Sequence, residues 1–128
     1  MKIGEYNLYP VETGRFALDG GAMFGIVPKV LWSKTNPADE LNRIEMALRT
    51  LLIKGKNKII LIDTGIGTNY NEKFKNIYKI DHSNYNLIDS LKNLNIKPED
   101  ITDVIITHLH FDHTGGAIKK YNDKIKPF

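Results

Sequence analysis

One stretch decides the fold of this chain: Thr107-His108-Leu109-His110-Phe111-Asp112-His113-Thr114-Gly115-Gly116. It holds three of the four histidines of the sequence, joined by an aspartate. Alternate residues of an extended segment point the same way, so His108 and His110 can present their imidazoles to one metal ion. Asp112 and His113 come at the turn where a helix would begin, and they aim at a second point close to the first. The pattern therefore predicts four metal ligands.

The residue types favour zinc. Zn²⁺ takes imidazole nitrogen and carboxylate oxygen at about 2.0–2.2 Å, and catalytic sites keep one position open for water. The chain has no cysteine, so any metal must be held by nitrogen and oxygen. Gly115 and Gly116 lack side chains, which lets the backbone turn tightly beside the ions. A chance grouping of histidines is the alternative; we apply it to the isolated His82 but not to these four residues.

Upstream of this stretch the sequence predicts strands. Residues 3–9 can form an opening strand, and residues 20–25 form a glycine-rich loop. Residues 44–53 alternate as a strand does, with one apolar side made of Ile44, Met46, Leu48, Thr50 and Leu52. A turn at residues 54–58 leads into a buried strand at residues 59–63, so the two strands are predicted to form a hairpin.

The pattern then changes to helical spacing. Tyr70, Phe74, Ile77 and Tyr78 fall on one helical face, and Leu87, Ile88, Leu91 and Leu94 fall on another. Pro98 is expected to close off the second helix. Residues 104–107 read as a short buried strand that delivers the chain to His108. Strands, then helices, then another strand predict a mixed α/β layer structure.

The histidine stretch resembles the signature of the metallo-β-lactamase superfamily, in the pattern His108-x-His110-x-Asp112-His113. Leu61-Ile62-Asp63-Thr64-Gly65 is similar to the strand-and-turn motif that precedes this signature. Residues 18–25, with Pro28 and Trp32, resemble a branch of general hydrolases related to the lactonases. The resemblance implies an α/β (α+β) fold, the first half of an αββα sandwich. Residues 1–128 would be the N-terminal half of one domain, with the second half absent.

The resemblance also implies roles for individual residues. His108 and His110 would bind the first metal, and Asp112 and His113 the second. Asp63 would lie at a strand end under the site and support the ligands, or it would form a turn with no metal role. The glycine-rich loop at residues 20–25 would line the substrate cleft, or it would be a structural turn. Two Zn²⁺ ions are expected, with iron or manganese as alternatives. The implied reaction cleaves an ester, lactone or thioester with a hydroxide that bridges the ions, and Asp112 would hold that hydroxide in line as a catalytic residue.

The family places further ligands downstream of this signature: one more histidine for each metal and an aspartate that bridges both. After His113 the sequence has no histidine, and Asp123 comes too soon to be the bridging aspartate. His82 lies upstream in a polar break and is a poor substitute. We therefore expect the missing C-terminal half, a second chain or an exchanged copy to complete the site and to cover the sheet.

Composition limits the other possibilities. The formal net charge is +3, and the lysines form small clusters around residues 54–58 and 119–126, without the interleaved aromatics of a nucleic-acid surface. We expect a small-molecule substrate, no nucleic acid and no membrane. The N-terminus does not read as a signal peptide, so the expected location is the cytoplasm.

Three rival functions stay open at this point. The superfamily also contains phosphodiesterases and nucleases, whose substrates are anionic. It contains oxygen-reducing flavoproteins with iron, although nothing in this sequence suggests a flavin module. Finally, the chain by itself can be a metal-binding half-domain that is inactive alone.

Overall fold

The computed structural model describes residues 1–121 and 124–127. Within them the chain forms seven β-strands and five short α-helices, which we number in chain order. The strands are β1 (Lys2–Ile3), β2 (Tyr6–Asp19), β3 (Arg43–Lys54), β4 (Ile59–Ile62), β5 (Asp103–Ile105), β6 (Ile118–Tyr121) and β7 (Lys124–Pro127). The helices are α1 (Gly20–Phe24), α2 (Lys29–Trp32), α3 (Glu72–Tyr78), α4 (Leu87–Asn93) and α5 (Phe111–Thr114). The longest of these helices, α3 and α4, have seven residues each, and within the described residues no helix could span a lipid bilayer.

Five strands form the main sheet in the order β1-β2-β3-β4-β5, and β6 pairs with β7 in a separate hairpin. The β2–β3 and β3–β4 pairs are antiparallel, with Leu52 opposite both Tyr9 and Leu61. This confirms the hairpin predicted for residues 44–53 and 59–63. β5 pairs parallel to β4 after a crossover that contains α3 and α4. Because these two strands run in the same direction, both end at the same edge of the sheet.

Two hydrophobic clusters form the core on the side of the sheet that α3, α4 and α5 cover. The first joins Val11, Leu52 and Leu61 of the strands to Leu91 and Ile96. The second consists of Phe16, Leu48, Ile66 and Ile80, with Tyr70, Phe74, Tyr78 and Phe111 packed against it. The apolar side predicted for residues 44–53 is confirmed, because it is buried except at the half-buried Met46.

The opposite side of the sheet carries apolar side chains that the described residues leave partly uncovered. Leu8, Ile53 and Ile60 stand opposite one another across β2, β3 and β4, and Leu51 and Ile62 form the next row. All five are only half-buried. Of β4, only Leu61 in the core is fully buried, so the expectation of a buried strand holds for one of its two faces. We call this half-buried surface the open face.

Two strand predictions are wrong in their bounds. The strand expected at residues 3–9 is broken after Ile3 by a turn at Gly4, whose φ is +55°, and β2 then runs on to Asp19. The strand expected at residues 104–107 ends at Ile105, and Val104 and Ile105 are 42% and 49% exposed. Within the described residues β5 is an edge strand of the sheet, so no strand on its outer side buries its side chains.

Both predicted helices are present. Asn71 caps α3 by accepting a hydrogen bond from the backbone N of Phe74 at 2.9 Å, and Asn86 caps α4 in the same way through Asp89 N at 2.9 Å. The end expected at Pro98 is wrong, because α4 already ends at Asn93. Pro98 instead starts a separate 3-10 turn, where its missing N–H costs nothing.

The glycine-rich segment is a short helix rather than a loop. Asp19 caps α1 by accepting a hydrogen bond from the backbone N of Ala22 at 2.8 Å. Phe24 stacks on Trp32 with ring centroids 5.1 Å apart, and a side chain at Gly20 would meet the same indole at 2.4 Å. These contacts give Gly20 a packing role. That the segment lines a substrate cleft stays a prediction.

Candidate metal centre

The predicted ligands lie at the edge where β4 and β5 both end. Asp63 directly follows β4, and residues 106–113, which we call the ligand loop, directly follow β5. Two backbone hydrogen bonds join the segments: Asp63 N donates to Ile105 O at 2.8 Å, and Thr64 N donates to His113 O at 2.8 Å. The parallel pairing therefore brings together residues that are far apart in the sequence.

His108 and His110 face each other across the exposed end of the loop. Nε2 of His108 lies 3.0 Å from Nδ1 of His110, and the rings are nearly perpendicular, with centroids 4.6 Å apart. Two ligands of one tetrahedral zinc ion at about 2.0–2.2 Å are themselves about 3.3–3.6 Å apart. Two bare lone pairs at this distance would repel each other, so the pair needs a proton or a cation between its nitrogens.

Asp112 and His113 form a second pair in the first turn of α5. Nε2 of His113 lies 3.5 Å from Oδ2 of Asp112, which is within the range of about 3.3–3.6 Å for two ligands of one zinc ion, whereas the 3.0 Å between His108 and His110 is shorter than that range. The ring of His113 is 3.9 Å from that of His108, measured between centroids, so the two pairs are neighbours. The structure thus brings all four predicted ligands into one cluster. Their role in metal binding stays a prediction.

Asp63 lies beneath the cluster and is 8% exposed. Its carboxylate accepts hydrogen bonds from Nδ1 of His113 at 2.8 Å, from the backbone N of Thr107 at 2.8 Å and from the Thr107 hydroxyl at 2.8 Å. Burial opposes ionisation of this carboxyl, but the hydrogen bonds from His113 and Thr107 outweigh it and hold the pKa of Asp63 below its usual range. Asp63 is therefore a carboxylate at neutral pH, positioned to orient His113.

Sequence reasoning gave no site role to Thr107. Its hydroxyl lies within hydrogen-bond distance of both Asp63 and Nδ1 of His108, the latter at 3.0 Å. The sequence shows only that Thr107 lies between the predicted strand and the first histidine. Its partner Asp63 can be identified only once the pairing of β4 with β5 is known.

Aromatic packing holds α5 in place. Phe111 lies 4.7 Å from Tyr78 and 5.3 Å from Phe74, measured between ring centroids. Since Phe111 immediately precedes Asp112, this contact fixes the start of the helix that carries the second pair. A cavity of about 360 Å³ opens beside the helix, lined in part by Ile66, Tyr70 and Phe111. Its size suits a small molecule.

Close backbone packing holds the far side of the cluster. A Cβ on Gly115 would lie 2.0 Å from the carbonyl oxygen of Ile66, and a Cβ on Gly116 would lie 2.1 Å from that of Thr64. No side chain fits at these distances, so the segment after the ligands can approach the turn after β4 only as glycine. This agrees with the tight turn expected for the pair.

The donor set fits zinc but does not complete a site. Nitrogen and carboxylate oxygen are suitable ligands at suitable separations, yet residues 1–121 and 124–127 contain no group of three or more His, Cys, Asp or Glu side chains arranged for a single ion. His82 points elsewhere, with Nδ1 3.0 Å from Thr13 O and Nε2 3.0 Å from Gly67 O. It is a structural residue, as the sequence suggested. Asp123 lies outside the described residues.

Comparison with known proteins gives a consistent set of relatives. The family model of the metallo-beta-lactamase superfamily matches residues 49–119. The N-acyl homoserine lactonase AiiB of Rhizobium rhizogenes is 30% identical over 117 residues, which cover 85% of this chain and 42% of that protein.

Solved structures match over a similar span. A probable metal-dependent hydrolase from Staphylococcus aureus has 39% identity and a TM-score of 0.85, covering 94% of this chain and 43% of its own. The dizinc quorum-quenching lactonase AidC, in complex with a product, has 29% identity and a TM-score of 0.68; the match covers 94% of this chain and 38% of the AidC chain. The chain thus spans less than half the length of each of these relatives.

Proposed function

Because the chain belongs to the metallo-beta-lactamase superfamily, we propose that it supplies one half of the active site of a zinc-dependent hydrolase. One observation carries the proposal: the two ligand pairs, with donor atoms 3.0 Å and 3.5 Å apart, are neighbours at the common end of β4 and β5. Two adjacent ions would account for the grouping of these nitrogen and oxygen donors.

In this proposal Nε2 of His108 and Nδ1 of His110 bind one ion, while Oδ2 of Asp112 and Nε2 of His113 bind the other. Nitrogen and oxygen donors suit zinc, and iron or manganese would accept the same ligands. The similarity to a dizinc lactonase favours zinc. Each ion receives two ligands from the described residues. The others would come from a C-terminal continuation, a second chain or an exchanged copy.

When bound, a zinc pair supplies hydroxide at neutral pH and polarises the bond to be cleaved. The protein contributes the positions of the reacting groups. Asp112 has a second carboxylate oxygen that can accept a hydrogen bond from the attacking water and hold it in line, which is its proposed catalytic role. Phe111 fixes the helix that carries this carboxylate, and Asp63 fixes the ring of His113.

We propose a small-molecule ester, lactone or thioester as the substrate, with a lactone as the first to be tested. The support is the similarity to the lactonases AiiB and AidC. We also propose that the 128-residue chain alone binds metal without turnover, because half of each ligand set is missing from it.

We propose that a second β-layer from outside the described residues covers the open face. Its two rows of half-buried apolar side chains are unusual for a surface in contact with water, and layers of this kind normally pack on another layer. The same layer would bring the remaining metal ligands. A second layer and the missing ligands would then have one source.

The test measures zinc content and hydrolysis together. The protein is produced both as residues 1–128 and as the full reading frame that contains them, and each is assayed against a lactone, a thioester and a phosphodiester. We expect zinc and lactone turnover in the longer protein, and loss of one of the two zinc ions and of nearly all turnover in His110→Ala. His82→Ala is the matched control, since it removes an imidazole outside the cluster and should keep the zinc. Full turnover by zinc-loaded His110→Ala would refute the assignment.

A further inference from the structure

The hydroxyl of Thr107 lies at the meeting point of both ligand pairs. It is 2.8 Å from Oδ2 and 3.0 Å from Oδ1 of Asp63, 3.0 Å from Nδ1 of His108 and 3.5 Å from Nδ1 of His113. The backbone N of Thr107 also donates to Asp63 at 2.8 Å, which fixes the residue independently of its side chain. Its hydroxyl is thus held at a defined point beside two imidazoles.

The available hydrogens decide the direction of each bond. A threonine hydroxyl has one hydrogen, and the Asp63 carboxylate can only accept, so this hydrogen goes to Asp63. Towards His108 the oxygen of Thr107 can then act only as an acceptor. Nδ1 of His108 must therefore carry the hydrogen, and on a neutral ring Nε2 is left with a bare lone pair. Nε2 is the nitrogen that faces His110.

We propose that Thr107 is a positioning residue that fixes the tautomer of His108 and so directs its Nε2 towards the first ion. Asp63 does the same for His113 directly, because it accepts the hydrogen on Nδ1 of that ring at 2.8 Å. One carboxylate thus orients a ligand of each ion, directly on one side and through the Thr107 hydroxyl on the other. The effect on metal binding rests on the proposed function, whereas the tautomer assigned to His108 follows from the hydrogen bonds alone.

Removal of the Thr107 hydroxyl should affect the two proposed ions differently. It should weaken binding of the ion held by His108 and His110, and it should have less effect on binding of the ion held by Asp112 and His113. The loss of a hydrogen-bond partner behind a metal ligand typically lowers metal affinity by roughly 10- to 100-fold. A side chain that served only the folded structure would change stability without this selectivity.

The experiment compares Thr107→Val, which removes the hydroxyl at nearly constant shape, with Thr107→Ser, which keeps it. The first readout is the ¹⁵N spectrum of the histidine rings in the metal-free protein, which distinguishes a hydrogen on Nδ1 from one on Nε2. We expect the hydrogen of His108 on Nδ1 in the native protein and in Thr107→Ser, and a gain of the Nε2 form in Thr107→Val. The second readout is zinc affinity for each of the two sites, by competition with a chelator.

Native-like zinc affinity in Thr107→Ser, together with a loss of roughly 10-fold or more in Thr107→Val, would support the inference. A native protein whose His108 carries its hydrogen on Nε2 would overturn it without any variant, even if Thr107→Val failed to fold. Equal tautomers and equal affinities in the two variants would also overturn it. If the native protein binds no zinc, the proposed function fails, while the metal-free spectrum still decides the role of Thr107.

Discussion

The carboxylate of Asp63 accepts a hydrogen bond from Nδ1 of His113 at 2.8 Å, although 50 positions separate the two residues in the sequence. The contact joins the end of β4 to the first turn of α5. It leaves Nε2 of His113 as the nitrogen that faces Asp112, so the geometry of this second pair depends on the buried Asp63.

Asp63→Asn tests this dependence. Asparagine tolerates the left-handed backbone at this position, where φ is +62°, so the change removes charge without backbone strain. We expect zinc affinity to fall by roughly 10-fold or more and the free energy of unfolding to fall by about 1–3 kcal/mol. Chelator competition and urea denaturation measure the two effects. Asp103→Asn is the control, because Asp103 pairs with the exposed Lys58 at 3.2 Å and an exposed ion pair contributes far less to the free energy of unfolding. Equal effects in both variants would contradict the role assigned to Asp63.

Gly115→Ala tests the close packing beside the ligand loop. The new methyl group would have to displace the Ile66 carbonyl, 2.0 Å away, and we expect a loss of about 2–4 kcal/mol in unfolding free energy, with reduced zinc affinity. Gly4→Ala is the matched variant, because Gly4 has positive φ but open space around it and should lose only about 1 kcal/mol. If the two alanine variants are equally stable, the contact between the two backbones is not tight.

Leu91→Ala tests the first hydrophobic cluster. Leu91 is fully buried between α4 and the sheet, so its truncation should cost about 2–5 kcal/mol of unfolding free energy. Ile88 in the same helix is 48% exposed, and Ile88→Ala should cost far less. Urea denaturation of both variants gives the comparison. A small loss for Leu91→Ala would mean that α4 is not packed as described.

Glu12 gives a pH-dependent prediction. Burial opposes its ionisation, but hydrogen bonds from Arg49 and Arg15 outweigh burial and hold the pKa of Glu12 below its usual range. The stabilisation from a lowered pKa is complete above the unfolded-state pKa, and it is lost as the pH falls through the folded-state pKa. The stability gap between the native protein and Glu12→Gln should therefore be widest at neutral pH and should close below roughly pH 4. Thermal unfolding across this range measures it, and a gap that widens in acid would refute the prediction.

The local chemistry of the sequence predicted some features well and others not at all. The clustering of His108, His110, Asp112 and His113 could be predicted because residue type and spacing within one short segment carry the signal, and their role as metal ligands stays a prediction. The strand at residues 44–53 and the two helices could be predicted for the same reason, since their apolar periods are local.

Features that depend on distant partners were missed. Thr107 could not be assigned because its partner Asp63 lies 44 positions away and meets it only through the parallel pairing of β4 and β5. The length of β2 was missed because Pro10 and Gly14, with a register shift beside them, break the alternation of its residues. The helix at Gly20 was missed because two glycines at its start disfavour helix formation. The Trp32 indole that packs against Gly20 lies 12 positions further along the chain.

The crossover between β4 and β5 also has a consequence for folding. Closing a loop of the 50 residues that separate Asp63 from His113 costs about 3–4 kcal/mol of chain entropy. A single hydrogen bond contributes only about 0.5–1.5 kcal/mol net, so this contact cannot close the loop unaided. The pairing of β4 with β5 and the packing of the first hydrophobic cluster, which includes Leu91 of the crossover, supply the rest of the energy needed to close it. We therefore expect the scaffold to form before the ligands meet, so that protein synthesised under zinc starvation keeps its shape and can be loaded with metal afterwards.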